Sequence, residues 1–175
     1  GKEGAQSVIS IAIANQKGGV AKTTTVASLG AAMVELGKRV LLVDLDPQGC
    51  LTFSLGQDPD KLAVSVHEVL LGDVEPDAAL VDTSEGMTLL PANIDLAGAE
   101  AMLLMRAGRE YALKRALAKI ADRFDVIIID CPPSLGELTR NALTAADRAL
   151  VVTEPNHFAV HGATEAVEAI DVIAA

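Results

Sequence analysis

Aromatic side chains are almost absent from this chain. Its 175 residues include no tryptophan, one tyrosine (Tyr111) and three phenylalanines (Phe53, Phe124, Phe158). Half of the residues are still hydrophobic, so the core must be built from Val, Ile, Leu and Ala. A core of that kind is typical of alternating strands and helices. Cysteine is scarce too. Cys50 and Cys131 are too few for a disulfide framework, which makes a reducing cytosol the default setting. No apolar run approaches the roughly 18 residues of a bilayer-spanning helix. Basic residues are outnumbered, 14 against 24 acidic ones, for a net charge of -10. An acidic surface repels phosphate backbones, so general nucleic-acid binding by this segment as a whole is not expected.

What is present is a strand and helix alternation. Residues 1–6 (GKEGAQ) read as a tag remnant or mobile lead-in. Ser7 to Ala14 is a β-branched apolar run, expected to be a buried parallel strand. A glycine-bearing loop follows, then a helix from Thr23 to Leu36 closed by Gly37, then a second strand from Arg39 to Leu45. Together they predict a right-handed βαβ unit. Further on, the pattern predicts helices at 67–71, 95–105, 109–123 and 137–146. It predicts strands at 87–90, 124–130 and 149–153, and a helix from about Phe158 onward. Along the 109–123 helix, Leu113, Leu117, Ile120 and Phe124 form a core stripe. Arg115, Lys119 and Arg123 are expected on the solvated face. The apolar stripe Val167, Ile170, Ile173 reaches Ala175 without a capping glycine, which reads as a chain cut from a longer one. The expected architecture is one α/β domain over 1–175, a mostly parallel twisted sheet with helices on both faces and with its C-terminal part missing.

The central motif is Lys17-Gly18-Gly19-Val20-Ala21-Lys22-Thr23-Thr24, between the first strand and the first helix. A loop with inward amides, followed by a helix N-terminus, places partial positive charge where a phosphate tail sits. Gly18 and Gly19 let the backbone approach closely. Lys22 adds a full charge toward β- and γ-phosphates, and the Thr23 hydroxyl is suited to ligate Mg²⁺. Against the general pattern G-x-x-x-x-G-K-[ST], Asn15 or Gln16 stands for the first glycine and Ala21 for the second. If position 21 needs a positive φ, alanine there costs roughly 1 kcal/mol.

Carboxylates end the apolar runs. Asp44 and Asp46 lie at the carboxyl edge of the second strand, two residues apart, and in an extended chain both point to one side. A carboxylate there can hold metal-bound water or orient an attacking one. Asp130 follows Val126-Ile127-Ile128-Ile129, the pattern of a Walker B strand, and would hold a water on Mg²⁺. His157, His161 and Glu165 share helical spacing, but an exposed helix start explains them better than a metal. His67 is unassigned. Cys50 and Cys131 read as small buried thiols near the site rather than as ligands of an iron–sulfur cluster shared across a dimer.

KGGVAKTTT, LLVDLDPQG and FDVIIIDCPPS, in that order, resemble the ParA/MinD family of deviant Walker ATPases, most of all the Soj-like chromosome-partitioning members. LLPANIDLAGAE and LTRNALTAAD resemble it too. The resemblance runs from about Val8 to about Thr164. It implies a P-loop NTPase-like fold and slow, Mg²⁺-dependent ATP hydrolysis coupled to homodimerisation and to partitioning of chromosomes or plasmids. It implies ATP and Mg²⁺ as ligands, a ParB-type centromere-binding partner and non-specific DNA binding through the part beyond Ala175. A cytoplasmic, nucleoid-associated location follows for the full-length protein. Catalytic roles fall on Lys17, Lys22 and Asp46: Lys17 reaches the partner's phosphates in a dimer, and Asp46 positions water in a segment running to Gly49. Nucleotide binding falls on 17–24. Thr23, Asp44 and Asp130 serve the metal, with Asp44 supporting either Lys22 or the Mg²⁺ waters. No N-K-x-D guanine motif occurs, which favours ATP over GTP. A MinD-like membrane-cycling ATPase and a non-catalytic, nucleotide-gated module are the alternatives. The charge makes one prediction: residues 1–175 alone bind DNA poorly, and a strong, salt-sensitive gel shift of bare DNA by this piece would refute it.

Overall fold

A computed structural model describes residues 7–15 and 20–152. Strand β1 is Ile9–Asn15, helix α1 Val20–Glu35 and strand β2 Val40–Asp44. Then come α2 (Cys50–Ser54), α3 (Val66–Leu71), α4 (Pro76–Ala79), β3 (Val81–Asp82) and β4 (Thr88–Leu90). The rest is α5 (Leu96–Leu103), α6 (Ala112–Ala118), β5 (Val126–Asp130), α7 (Glu137–Ala145) and β6 (Arg148–Val152). Six strands form one sheet in the order β3-β4-β2-β5-β1-β6. All pairings are parallel except that of the two-residue β3 with β4.

The aliphatic runs dictate this sheet. Every residue of β2 (VLLVD) and β5 (VIIID) is buried, because both faces of a parallel sheet are covered. The period of two divides them between two cores. Val40, Leu42, Val126 and Ile128 meet α1 residues such as Val26 on one side. Leu41, Val43, Ile127 and Ile129 meet residues of α3, α5, α6 and α7 on the other. Each fully buried leucine or isoleucine contributes about 1.5–3 kcal/mol. Helix α1 lies so close to the sheet that a Cβ on Gly30 would fall 3.0 Å from Leu42 Cδ2 and 2.5 Å from Met87 Sδ.

Strand order positions the candidate site. β5 sits between β1 and β2, in register so that Asp130 neighbours both Ile13 and Asp44. The loops after β1, β2 and β5 therefore leave one edge side by side. At the opposite edge Arg39 grips Asp125 through Nη2, at 3.0 Å from Oδ1, and through its amide, at 2.8 Å from Oδ2.

The predicted 109–123 helix is not continuous. It is a 3-10 turn (Arg109–Tyr111), α6, and a second 3-10 turn (Ala121–Arg123). The Asn141 side chain accepts the Leu113 amide at 3.1 Å and fixes where α6 starts. At its end the amides of Lys119 and Ile120 bond three residues back, tightening the turn so that Ile120 and Phe124 enter the core. Arg115, Lys119 and Arg123 are exposed, as the solvated face predicts; there Lys119 and Arg123 pair with Glu75 and Asp77, and Arg115 donates to the Gly108 carbonyl. The short α2 and β3 have no sequence signal of their own, and α4 only the proline at its first position, Pro76. The expected helix from Phe158, with His157, His161 and Glu165, lies outside the described residues.

Two glycines inside helices predict opposite outcomes. Gly98 of α5 has nothing within 4 Å of its Cβ position, so Gly98→Ala should stabilise by about 0.5–1 kcal/mol. Gly30→Val must displace buried Met87 and Leu42 and should cost about 2 kcal/mol or more. Urea midpoints of the two variants check both signs.

Candidate functional site

Helix α1 starts at Val20, so Lys22 and Thr23 stand in its first turn. Lys22 is 2% exposed, and its ammonium turns across to the end of β5. There it pairs with Asp130 Oδ1 and donates to the Cys131 carbonyl at 2.6 Å. Removing one partner of such a buried pair strands the other charge, at a cost of about 3–5 kcal/mol. Burial pushes the Asp130 carboxyl upward, and Lys22 opposes that shift. Asp130 Oδ2 is buried and has no hydrogen-bond partner among the described residues. This buried oxygen of a carboxylate paired with Lys22, and the half-buried hydroxyl of Thr23 next to Lys22 in the chain, are oxygen ligands of the kind a hydrated Mg²⁺ takes.

Asp44 is filled differently from the expectation. Its Oδ1 accepts the Asp46 amide at 3.0 Å. Its Oδ2 accepts both the Thr52 amide at 3.0 Å and the Thr52 hydroxyl at 2.7 Å. The same hydroxyl accepts the Ala92 amide at 3.0 Å, joining α2 to the loop after β4. Three donors engage Asp44, two on Oδ2 and one on Oδ1, so its carboxylate secures α2 and the turn that carries Asp46. No sequence signal marked Thr52, eight residues downstream of its partner.

β2 ends at Asp44, so the alternation that would set Asp46 on the same side stops there. Asp46 lies in the following turn, half-buried, with Oδ1 accepting the Gln48 amide at 3.0 Å. Gly49 closes the turn at φ 65°, a conformation costly for other residues, and a Cβ there would also fall 3.1 Å from the Ala92 carbonyl.

Comparisons with known proteins agree with this geometry. A family model described as an AAA domain matches residues 8–175. Over 164 residues the chain is 45% identical to the sporulation initiation inhibitor protein Soj of Bacillus subtilis, covering 93% of this chain and 65% of Soj. It is 43% identical over 165 residues to the chromosome partitioning protein ParA of Myxococcus xanthus, covering 93% of this chain and 58% of that protein. The chain belongs to the ParA/MinD family of deviant Walker ATPases. It spans less than two thirds of the length of these two relatives. A solved structure named cobyrinic acid a,c-diamide synthase, from Mycobacterium smegmatis with bound ATP analogue and magnesium, is 72% identical. It superposes with a TM-score of 0.92 over 95% of this chain and 68% of that one.

Within the ParA/MinD frame, Lys17, Gly18 and Gly19 lie outside the described residues. Val20 and Ala21 are the first two helical residues of α1. No non-glycine residue among those described has a positive φ, so Ala21 carries no left-handed strain. Thr24 is exposed. Cys131 is fully buried beside Lys22, and its thiol is pushed up to about 12 by burial, which keeps it unreactive. Cys50 is exposed, correcting the expectation of two buried thiols, because it starts α2 on the outside of the turn. Among the described residues no group of three His, Cys, Asp or Glu is arranged to hold a metal by itself. No helix there is long and apolar enough to cross a membrane.

The buried carboxyl of Asp44 is pushed up to about 7, chiefly by desolvation. The Thr52 hydroxyl opposes the shift and Asp130 adds to it. An unfolded aspartate ionises near pH ~4. Between about pH 4 and 7 the unfolded chain therefore sheds a proton that the native state keeps, and stability falls as pH rises through that window. Asp125, held down to about 2 by Arg39, has the opposite sign and titrates below the window. The urea midpoint should drop as pH rises from about 5 to 7, and less steeply in Asp44→Asn.

Proposed function

We propose that this chain is the nucleotide-binding part of a ParA-type switch that binds Mg-ATP, hydrolyses it slowly and dimerises in the ATP-bound state. One observation carries the reading: a buried lysine in the first turn of α1 faces the end of a Walker B strand, whose aspartate keeps an unused buried oxygen. An ammonium held by one carboxylate and one carbonyl can exchange those partners for phosphate oxygens. In this reading Lys22 moves onto the β- and γ-phosphates, and residues 17–24 cradle the tail. Thr23 and the freed Asp130 hold Mg²⁺ and its waters, and the ion supplies charge neutralisation of the phosphates. Asp46, half-exposed in its turn, orients the attacking water, and Lys17 completes the partner's site in a homodimer. Asp44 enters as the support of the loop that carries Asp46, through its bond to the Asp46 amide.

The cargo reading is chromosome or plasmid partitioning, with a ParB-type partner, DNA contacts beyond Ala175 and a cytoplasmic, nucleoid-associated protein. The ParA name of a 43% identical relative supports it. Ala21's helical backbone takes away the strain argument for a non-catalytic module. A MinD-like membrane cycle would need an amphipathic helix beyond the described residues. The name of the 72% identical solved protein favours a second reading, ATP-driven amide formation on a cobyrinic acid. Turnover that requires that acid and an ammonia donor would decide for it.

Calorimetry and single-turnover hydrolysis with the full-length protein test the proposal. Mg-ATP should bind, and Lys22→Ala should abolish binding. Asp46→Ala should keep binding, lower turnover by about 100-fold or more and accumulate an ATP-bound dimer by light scattering. Absence of Mg²⁺-dependent ATP affinity in the wild type overturns the reading.

A further inference from the structure

Helix α7 lacks a cap of its own. Its N-cap is Gly136, which has no side chain to accept the first amides of the helix. The acceptor comes from α5: the Leu138 amide donates to Glu100 Oε1 at 3.3 Å. Gly136 has an ordinary φ of -83°, so backbone conformation does not demand glycine there. Space does. A Cβ on Gly136 would collide with the Glu100 carboxylate, 3.2 Å from its carboxyl carbon and nearer still to Oε1. The negative charge also suits the positive end of α7. A second tie lies next to it. Glu137, 6% exposed, faces Arg109 Nε at 3.5 Å. The first turn of α7 is thus held by the stretch from Glu100 to Arg109.

The segment leading into that turn is tethered at its other end by Lys22, which bonds the Cys131 carbonyl and pairs with Asp130. Between the two anchors Pro133, Ser134 and Leu135 are exposed. A phosphate tail that draws Lys22 away removes its tie, while the Cys131 amide stays on the Ile13 carbonyl at 3.0 Å and the Thr139 hydroxyl on the Ser134 carbonyl. Glu100 keeps the second anchor.

We propose that Glu100 is a positioning residue for the nucleotide site: seated in the gap that Gly136 leaves, its carboxylate fixes the start of α7 and so the place of Cys131–Leu135 beside Lys22. The inference rests on the ATPase reading above. Phosphate binding depends on α1 and survives without Glu100. The arrangement of the 131–135 segment around the reacting phosphate does not.

The test uses the full-length protein with Glu100→Ala, Glu100→Asp and Glu100→Gln. Alanine has no acceptor, and aspartate is one methylene too short to reach the amide. Both should lower kcat by about tenfold or more while KM for Mg-ATP stays within about threefold. Glutamine keeps an acceptor oxygen and should restore kcat to within about threefold of wild type. In nucleotide-free protein, hydrogen exchange of the Leu138 amide should quicken by about tenfold in Glu100→Ala and hardly change in Glu100→Gln. Glu100→Ala turning over within about twofold of an active wild type overturns this proposal alone, as does Glu100→Gln as impaired as Glu100→Ala, or unchanged Leu138 exchange. A wild type that neither binds nor hydrolyses Mg-ATP overturns the ATPase reading, and this proposal with it. If Glu100→Ala is insoluble, the aspartate and glutamine pair decides by the same criteria.

Discussion

An ammonium group taken out of water must find negative charge, and the charge that Lys22 finds is Asp130. The rest of the site depends on that encounter. It requires the first turn of α1 to stand over the end of β5, although 108 residues separate the two side chains along the chain. The sheet makes this possible by inserting β5 between β1 and β2. The first βαβ unit straddles a strand that the chain supplies much later. The loop after β1, the turn after β2 and the exit from β5 therefore emerge together, where open parallel sheets bind their ligands. The Asp130 oxygen without a partner among the described residues marks the place where the hydrogen bonding of that pair is left incomplete.

Around this pair, polar groups join loops that apolar packing alone would leave independent. Thr52 passes hydrogen bonds between Asp44 and the Ala92 amide, tying the exits of β2 and β4. Asn141 of α7 caps α6, and Glu100 of α5 caps α7. Each is a side chain satisfying a backbone amide that a helix start or loop cannot satisfy itself. The aliphatic layers supply most of the burial energy and are indifferent to small shifts of the loops. These bonds are not indifferent, because a buried amide without its acceptor costs about 1–3 kcal/mol. They convert a well-packed sheet into one arrangement of its carboxyl edge.

Much of this was legible beforehand. Aliphatic runs ending in an acid announced β2 and β5, since only a strand covered on both faces tolerates five buried residues in succession. The glycine-bearing loop between two apolar runs announced the strand–loop–helix order of β1 and α1, and three ordered motifs announced the ParA/MinD family. The 109–123 segment was misread as one helix. Its apolar spacing is helical throughout, but Ile120 and Phe124 are drawn into the core and Asn141 fixes the start of α6. Asp44 was legible only in type and position, since its bonds run to Thr52, which carries no pattern at all.

The linear chain by itself determined the composition of the core, the period of its strands and helices, and the chemistry at the strand ends. Those properties depend on near neighbours and on residue type, which a string of letters contains. Only the tertiary structure decided which acid meets Lys22, which acid is consumed in holding α2, and why a glycine precedes α7. Each of those answers is a distance between atoms far apart along the chain. Such distances follow from the order of strands in the sheet and the closeness of helix to helix, which no local spacing encodes.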